Sequence, residues 1–486
     1  MLPRILAFAI PMVTYTALAL VGCGLYRERH NFDRWILILI AGSFLTSLAL
    51  RPNEHLLFFD EDIYTNIASN LSHAPVAQLT VLGGPGNIES SSYYKEPAGF
   101  PVLLSLAFLV AGTSELTAFI LARLLYALAT AAVYLLARKV TDNQWQSLTA
   151  AVVFAATPAC FAFSASTGTD LTAALFATLF VWGMIEGNAL LAVGALLMTS
   201  QVRLEMIALA PLLVVAPRIS WKWKAGAAAL LLAEILHVSW VLSIAPILAK
   251  AERVEAAFAT RYIVDNLWIN LKYLIDPRMF PLAIPVLAIA ALFRRDFQQK
   301  WLLAWVGTIA AVYLLFYAGN FEINPRYSIQ LTVPLIILAV SFTRHPAVLT
   351  LLAIAALMAG ARPWQLPPYV QTLAADHRTA VEFARQVGPE DLVITGEPEI
   401  FMNHGKQAMN AVYATDTPGA LQSLSGKYKR VFYYGGIRTN EVGNQQWEAD
   451  RRVKSAFELH LVDAREFAGA RIAIYELLQP FDRITR

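Results

Sequence analysis

Asp60, Glu61 and Asp62 stand together in FFDEDIYTNIASNL (58–71), just after a long apolar segment. Carboxylates at a membrane boundary are costly to desolvate, so they are candidates for function; the plainer reading is a hydrated acidic loop. Other polar residues recur beside apolar runs. Lys95 and Glu96 precede Pro97, Arg123 lies inside the run 117–137, and Asp170 opens another run. Arg203 with Glu205, and Arg326 with Tyr327, sit at further run boundaries. Acids and cations around one cavity suit a substrate with an anionic phosphate and a hydroxyl to be deprotonated.

Each position also has a simpler use. Arg123 could snorkel toward headgroups, and Asp170 could cap a helix N-terminus. Arg203 and Glu205 could pair with each other, and Tyr327 suits an interfacial aromatic. What unites the set is that all of it falls on one predicted side of the membrane. A hard divalent cation such as magnesium or manganese, held by Asp60, Glu61 or Asp170, fits oxygen ligands. The eight histidines are scattered and show no metal-ligand spacing. LGGPGN (82–87) lacks the strand–helix context of a phosphate-binding loop.

The elements that must position these residues are mostly membrane helices. The 486 residues are 57% hydrophobic and 15% charged, with a mean hydropathy of +0.51. A soluble protein of this size could not hide that much apolar surface. Many apolar runs approach the roughly 20 residues that cross the hydrocarbon as a helix. A net charge of +3 with no dense basic tract argues against nucleic acid as a partner. Cys23 and Cys160 lie far apart in apolar segments, so no disulfide framework is expected. LVGC (20–23) resembles a lipoprotein cleavage site, but cleavage would leave the basic YRERHNFDR (26–34) outside. The run 5–26 is therefore read as a spanning helix.

With YRERH cytoplasmic, further spans are expected at 34–51, 117–137, 147–164, 171–187, 189–201, 205–217, 225–248, 280–293, 300–318, 328–342 and 346–362. That makes about twelve, with both termini outside and mostly basic turns inside. Several are short, as broken helices lining a cavity would be. PAGFPVLLSLAFLVAG (97–112) suits a surface helix within a first outer loop, 52–116. After RPWQLPP (362–368) the composition turns polar. HRTAVEFARQVG (377–388) reads as a helix, and 391–396, 430–436 and 470–478 read as strands. The expectation is a transmembrane domain over 1–363 and a small extracytoplasmic α/β domain over 364–486.

These motifs, in this order, resemble the GT-C superfamily of polyprenyl-phosphate-sugar-dependent glycosyltransferases, specifically the protein O-mannosyltransferase and lipid A aminoarabinose transferase branch. The resemblance rests on Asp60, Glu61, Tyr64, Ile67, Ala68, Asn70 and Leu71, and on YYKEPAGFPVLLSLAFLVAG (93–112). SELTAFILARLLYALATAAVYLLARK (114–139), Asp170, Arg203 with Glu205, and Arg326-Tyr327 followed by prolines extend it over most of 34–340. Glu96-Pro97 stands where the family has a double proline, and Asp62 is a third acid where it often has a small residue.

The resemblance implies an enzyme that moves one sugar from a polyprenyl-phosphate donor to an acceptor hydroxyl, with inversion, at the outer face of a cell membrane, such as a bacterial inner membrane. Asp60 would be the base and Glu61 would position the acceptor. Lys95, Arg203, Arg326 and Arg123 would hold the donor phosphate. Tyr64, Glu96, Asp170, Glu205 and Tyr327 would line the cavity. The acceptor stays open between protein, lipid and glycan. A transporter or flippase of a lipid-linked or anionic solute would have a similar charged cavity, but with charges near the bilayer midplane and repeated spans, and no repeat is found. A non-catalytic glycan-assembly protein would not need the acids.

Overall fold

In the computed structural model the protein is described over residues 2–56, 59–84, 86, 87, 89–93, 97–244, 257–291, 293, 298–362, 368–416, 426–441 and 445–478. The chain opens with α1 (Leu2–Arg27) and α2 (Arg34–Leu50), and the acidic segment forms α3 (Phe59–Leu71). Strands β1 (Gln78–Thr80), β2 (Leu82–Gly83) and β3 (Ser91–Tyr93) lead to α4 (Gly99–Ala111). Then follow α5 (Glu115–Thr141), α6 (Gln144–Ala156), α7 (Pro158–Ala162), α8 (Asp170–Glu186) and α9 (Ala189–Val202). The helices α10 (Ala210–Val215), α11 (Trp221–Ile244), α12 (Ile263–Ile275), α13 (Ala283–Ala291), α14 (Gln299–Leu315), α15 (Ile329–Phe342) and α16 (Pro346–Gly360) complete the apolar part.

Among the described residues four helices are long and apolar enough to cross a membrane: Ala9–Arg27, Glu115–Thr141, Trp221–Val241 and Pro325–Phe342. The run 147–164, expected as one span, is broken: Pro158 interrupts it, and the two pieces meet at a 62° bend. The pair makes a fifth candidate span. The span expected at 205–217 is instead a 3₁₀ turn, Leu204–Leu209, followed by the short α10. The loop expected over 249–279 contains α12. Its Val264, Leu267, Trp268, Leu271 and Ile275 form an exposed apolar stripe at helical spacing, while Asn266, Asn270 and Tyr273 are buried. That pattern suits a helix at a headgroup boundary.

Side-chain contacts sort the turns into two ends. At one end Lys139 meets Glu186 at 2.9 Å, Asn188 donates to Glu28 at 2.9 Å, and Arg218 donates to the Ile185 carbonyl at 2.9 Å. These belong to the turns placed together on the basic side. The acids and cations of the other set also meet one another, as described below. Close helix packing uses small residues. A Cβ on Gly183 of α8 would lie 2.7 Å from the backbone nitrogen of Ala192 in α9.

The segment after the last apolar helix begins with α17 (Pro368–Gln386) and β4 (Leu392–Thr395), where a helix and a strand are expected. It continues through α18 (Pro398–Asn403), β5 (Gln407–Asn410), α19 (Ala411–Asp416), β6 (Val431–Gly435), α20 (Gln445–Ala456), β7 (Leu459–Phe467) and β8 (Ala470–Leu477). The sheet order is β2-β5-β4-β6-β8-β7, with β4 parallel to β5 and β6 and the other pairings antiparallel. Side chains alternate across it. Val393, Phe432 and Ile474 pack with Phe383 and Phe401 of α17 and α18, while Leu392, Ile394 and Val431 pack with Val453 of α20. The edge strand β2 comes from the first loop, pairing Leu82 with Met409. That loop is therefore part of the same sheet.

Gly183→Ala is expected to lower the melting temperature of the purified protein, because overpacking a close helix contact costs about 1–3 kcal/mol. Gly22→Ala, with open space around its Cβ, is the control and leaves the melting curve in place. Equal melting of the two variants in a thermal-shift assay would show that α8 and α9 are not packed this closely.

Candidate active site

The helix α3 begins with the three acids, where carboxylates are favoured by free backbone N–H groups. Successive helical residues point about 100° apart, so the three side chains diverge. Asp60 faces the start of α15, where Arg326 Nη1 lies 3.1 Å from its Oδ2. Glu61 is fully buried. It accepts from the Leu56 amide at 3.0 Å, from Ser166 Oγ and from Thr167 Oγ1 at 3.2 Å, and His55 Nδ1 lies 2.5 Å away. Asp62 turns toward the sheet, meeting His377 Nε2 of α17 at 2.8 Å and Asn403 Nδ2 of α18 at 2.9 Å.

Behind Asp60 lies a second cluster. The helices α8 and α9 form an antiparallel hairpin, with Asp170 in the first turn of α8 and Arg203 capping the end of α9. An acid at a helix start and a cation at a helix end are each favoured by the helix dipole. Arg203 pairs with Asp170 through Nη1 and donates from Nε to Glu205 at 2.6 Å. Thr169, not Asp170, holds the cap position of α8, and Asp170 takes the ion pair. Its Oδ2 is buried with no hydrogen-bond partner among the described residues. The Arg203 guanidinium lies 4.7 Å from the centre of the Tyr327 ring and that of Arg326 lies 5.3 Å from it. Tyr327 is buried and stacks on Tyr313 at 5.1 Å. It is a platform beneath two cations, which the interfacial reading does not describe.

The structure thus brings Asp60, Asp170, Arg203, Glu205, Arg326 and Tyr327 together. Three other expected residues lie elsewhere. Arg123 is buried and donates to the backbone carbonyl of Arg51 at 2.9 Å and to that of Phe119 at 3.4 Å, so it secures the end of α2. Tyr64 is buried against Phe100, with ring centres 5.7 Å apart. Glu61 holds its own loop to residues 166–167. Lys95 and Glu96 lie outside the described residues. As possible cation ligands, Asp60, Glu61 and Asp170 each face a different partner. Among the described residues, the group of metal-ligating types that converges is His55, Asp62 and His377.

Burial alone would lower His55, but Glu61, Glu115 and Asp62 hold it well above its ordinary value. Burial would raise Asp62, yet His377, His55 and Asn403 bring it below the usual carboxylate range. In α18, next to these contacts, burial pushes Glu399 up to about 8. His55, His377 and Asn403 carried no signal in the sequence. They are single polar residues whose partners lie as far as 341 positions away.

No family model matches the chain, and no curated protein matches its sequence. Its fold does match solved structures. ArnT from Cupriavidus metallidurans bound to undecaprenyl phosphate superposes with a TM-score of 0.61 at 12% identity, over 91% of this chain and 98% of that one. The apo form of the same protein gives 0.54 at 11% identity, over 91% and 97%. The chain has the GT-C fold that its motifs imply.

Glu399 generates a pH prediction. Its folded value lies above its ordinary 4.5, so the stability it permits is complete below pH 4.5 and is lost as pH rises through about 8. Glu399→Gln, neutral at every pH, is expected to flatten part of the fall in melting temperature between about pH 5 and about pH 9. Identical pH profiles for the two proteins would contradict that burial.

Proposed function

We propose that the protein is a membrane glycosyltransferase that moves one sugar from a polyprenyl-phosphate carrier to an acceptor hydroxyl on the extracytoplasmic face, with inversion. The observation that carries this reading is the Asp60–Arg326 pair beside Arg203 and Tyr327, in a GT-C fold. A solved neighbour with that fold was crystallised with undecaprenyl phosphate, which supports a polyprenyl-phosphate donor. On this reading residues 1–363 form the catalytic membrane part, and 364–486 lie over its outer mouth.

Arg326 and Asp60 are both partly exposed, at 17% and 24% of their side chains. Arg203 is almost fully buried and already shared by two carboxylates. Arg326 is therefore the cation that an incoming phosphate reaches first. The phosphate displaces the carboxylate from Arg326, and Asp60 is left as a base. The acceptor oxygen then attacks the anomeric carbon, and its proton passes to Asp60. The bond from that carbon to the phosphate oxygen breaks, and the lipid phosphate leaves with the electron pair. That phosphate is a weak base, so no strong general acid is needed. Its developing charge falls to Arg326, which the Tyr327 ring holds from beneath, while Arg203 adds positive charge nearby. Lys95 is a further candidate phosphate ligand, and Glu205 and Asp170 pair with Arg203 and hold it in place.

Purified protein incubated with a panel of polyprenyl-phosphate sugars is expected to consume one of them. Asp60→Asn should lose about 10²- to 10⁴-fold in turnover, the range of a missing general base. Arg326→Ala should lose about 10²- to 10³-fold, as when one preorganised donor is removed. Near-normal turnover by Asp60→Asn would remove Asp60 as the base.

A further inference from the structure

Outside the transfer cluster, two histidines and an acid from three different segments face one another. His55 precedes α3, Asp62 lies in its first turn, and His377 sits on α17. One ligating atom from each lies within 4.8 Å of the other two. We propose that these three residues bind a transition-metal dication of the zinc class, which fastens the first loop to the C-terminal sheet layer.

The donor set argues for zinc over magnesium or manganese. Imidazole nitrogens with one carboxylate suit zinc, whereas the harder ions prefer oxygen ligands. Tetrahedral bonds of about 2.0–2.2 Å place ligand atoms roughly 3.4 Å apart, so the observed cluster closes with shifts of about an ångström or less. The supporting contacts are those a metal site needs. Each nitrogen of His55 already has a carboxylate beside it: Glu61 lies 2.5 Å from Nδ1 and Glu115 lies 2.8 Å from Nε2. Whichever nitrogen faces the ion, a carboxylate orients the ring through the other, as is usual for metal-bound histidine. Asn403 holds Asp62 Oδ1 at 2.9 Å, which leaves Oδ2 on the His377 side.

Charge points the same way. Glu61 and Glu115 stand beside the His55 ring and Asp62 beside His377, so three carboxylates gather around two imidazoles. A dication bound among them offsets the excess of acidic groups at this buried site. An entry route exists as well: a cavity of about 450 Å³ lined by Asn53, Glu54, Glu115 and Arg378 opens onto His55 and His377. Three protein ligands leave the fourth position to Glu61, Glu115 or water.

This proposal stands apart from the transfer reaction, and its test does not use activity. Untagged full-length protein is stripped with a chelator, dialysed against zinc, and assayed for metal content and thermal stability. About one zinc per chain and a raised melting temperature are expected. Cobalt substitution should give the visible absorption of a four-coordinate site with nitrogen ligands. His377→Gln is expected to weaken zinc binding by more than the 10- to 100-fold typical of outer-shell changes and to abolish the zinc-induced melting shift. His460→Gln, at an exposed histidine of β7, should change neither. If His377→Gln misfolds, His55→Gln reads the same site from the loop side. Folded wild-type protein that retains no stoichiometric zinc, or zinc binding that survives both substitutions, would overturn the proposal.

Discussion

Taking a carboxylate out of water costs several kcal/mol unless a cation or a set of donors replaces the lost hydration. The helix α3 incurs that cost three times in succession. Its geometry forbids a single solution, because consecutive side chains leave the axis in different directions. One acid must be met by the membrane helices, one by its own loop and one by the C-terminal layer. Arg326, the Ser166–Thr167 turn with His55, and His377 with Asn403 meet these needs in turn. The surrounding architecture can be understood as the arrangement that delivers those partners to one short helix.

The cation on the membrane side is itself held in place by a second layer of charge. In the α8–α9 hairpin a tight turn at Gly187 brings the start of one helix beside the end of the other. Asp170 and Arg203 thus sit at helix ends whose dipoles already favour their charges. With Arg203 committed to Asp170 and Glu205, Tyr327 presents its ring to both guanidiniums. Arg326 is left as the more exposed cation, and Asp60 is its partner. Removing Arg203 would strand Asp170 as a buried unpaired charge, the kind of loss that costs about 3–5 kcal/mol.

The parts legible in the sequence were those written in local pattern. Apolar length placed most helices, and the order of weak motifs pointed to the GT-C fold. Short apolar, β-branched or aromatic runs marked β4 and β6, and near-strict alternation marked β8. β7 is nine residues long, but its side chains are largely exposed and carry little contrast. β5 has only four residues and β2 two, too few to show a period. The acids were legible as costly, and Asp60 with Arg326 came together as a shared cavity would require. The different directions of Glu61 and Asp62 were not legible, because their partners Ser166 and His377 lie more than 100 positions away in the chain. Arg123 misled for a different reason: a buried guanidinium can be satisfied by backbone carbonyls, and no pattern in the chain distinguishes that from a phosphate site.

The C-terminal layer carries no motif, yet it bears on the geometry of Asp60. A helix transmits displacement along its axis because its backbone is hydrogen-bonded turn to turn. Asp62 is two residues from Asp60 and is held by α17 and α18, while Asn66 donates to Met402 Sδ of α18 at 3.6 Å. Further along, Asn70 donates to the Gln78 carbonyl at 2.8 Å, and the chain soon enters the sheet as β2. The helix is thus held by the sheet layer near its start, at its middle and through the strand that follows it. If the layer shifted by even an ångström, Asp60 would move relative to Arg326, and the 3.1 Å pair would open or close. On the function proposed above Asp60 is a base that must reach one proton, and positioning of that accuracy matters there. On that reading the C-terminal layer sets the position of a residue more than 300 positions earlier in the chain.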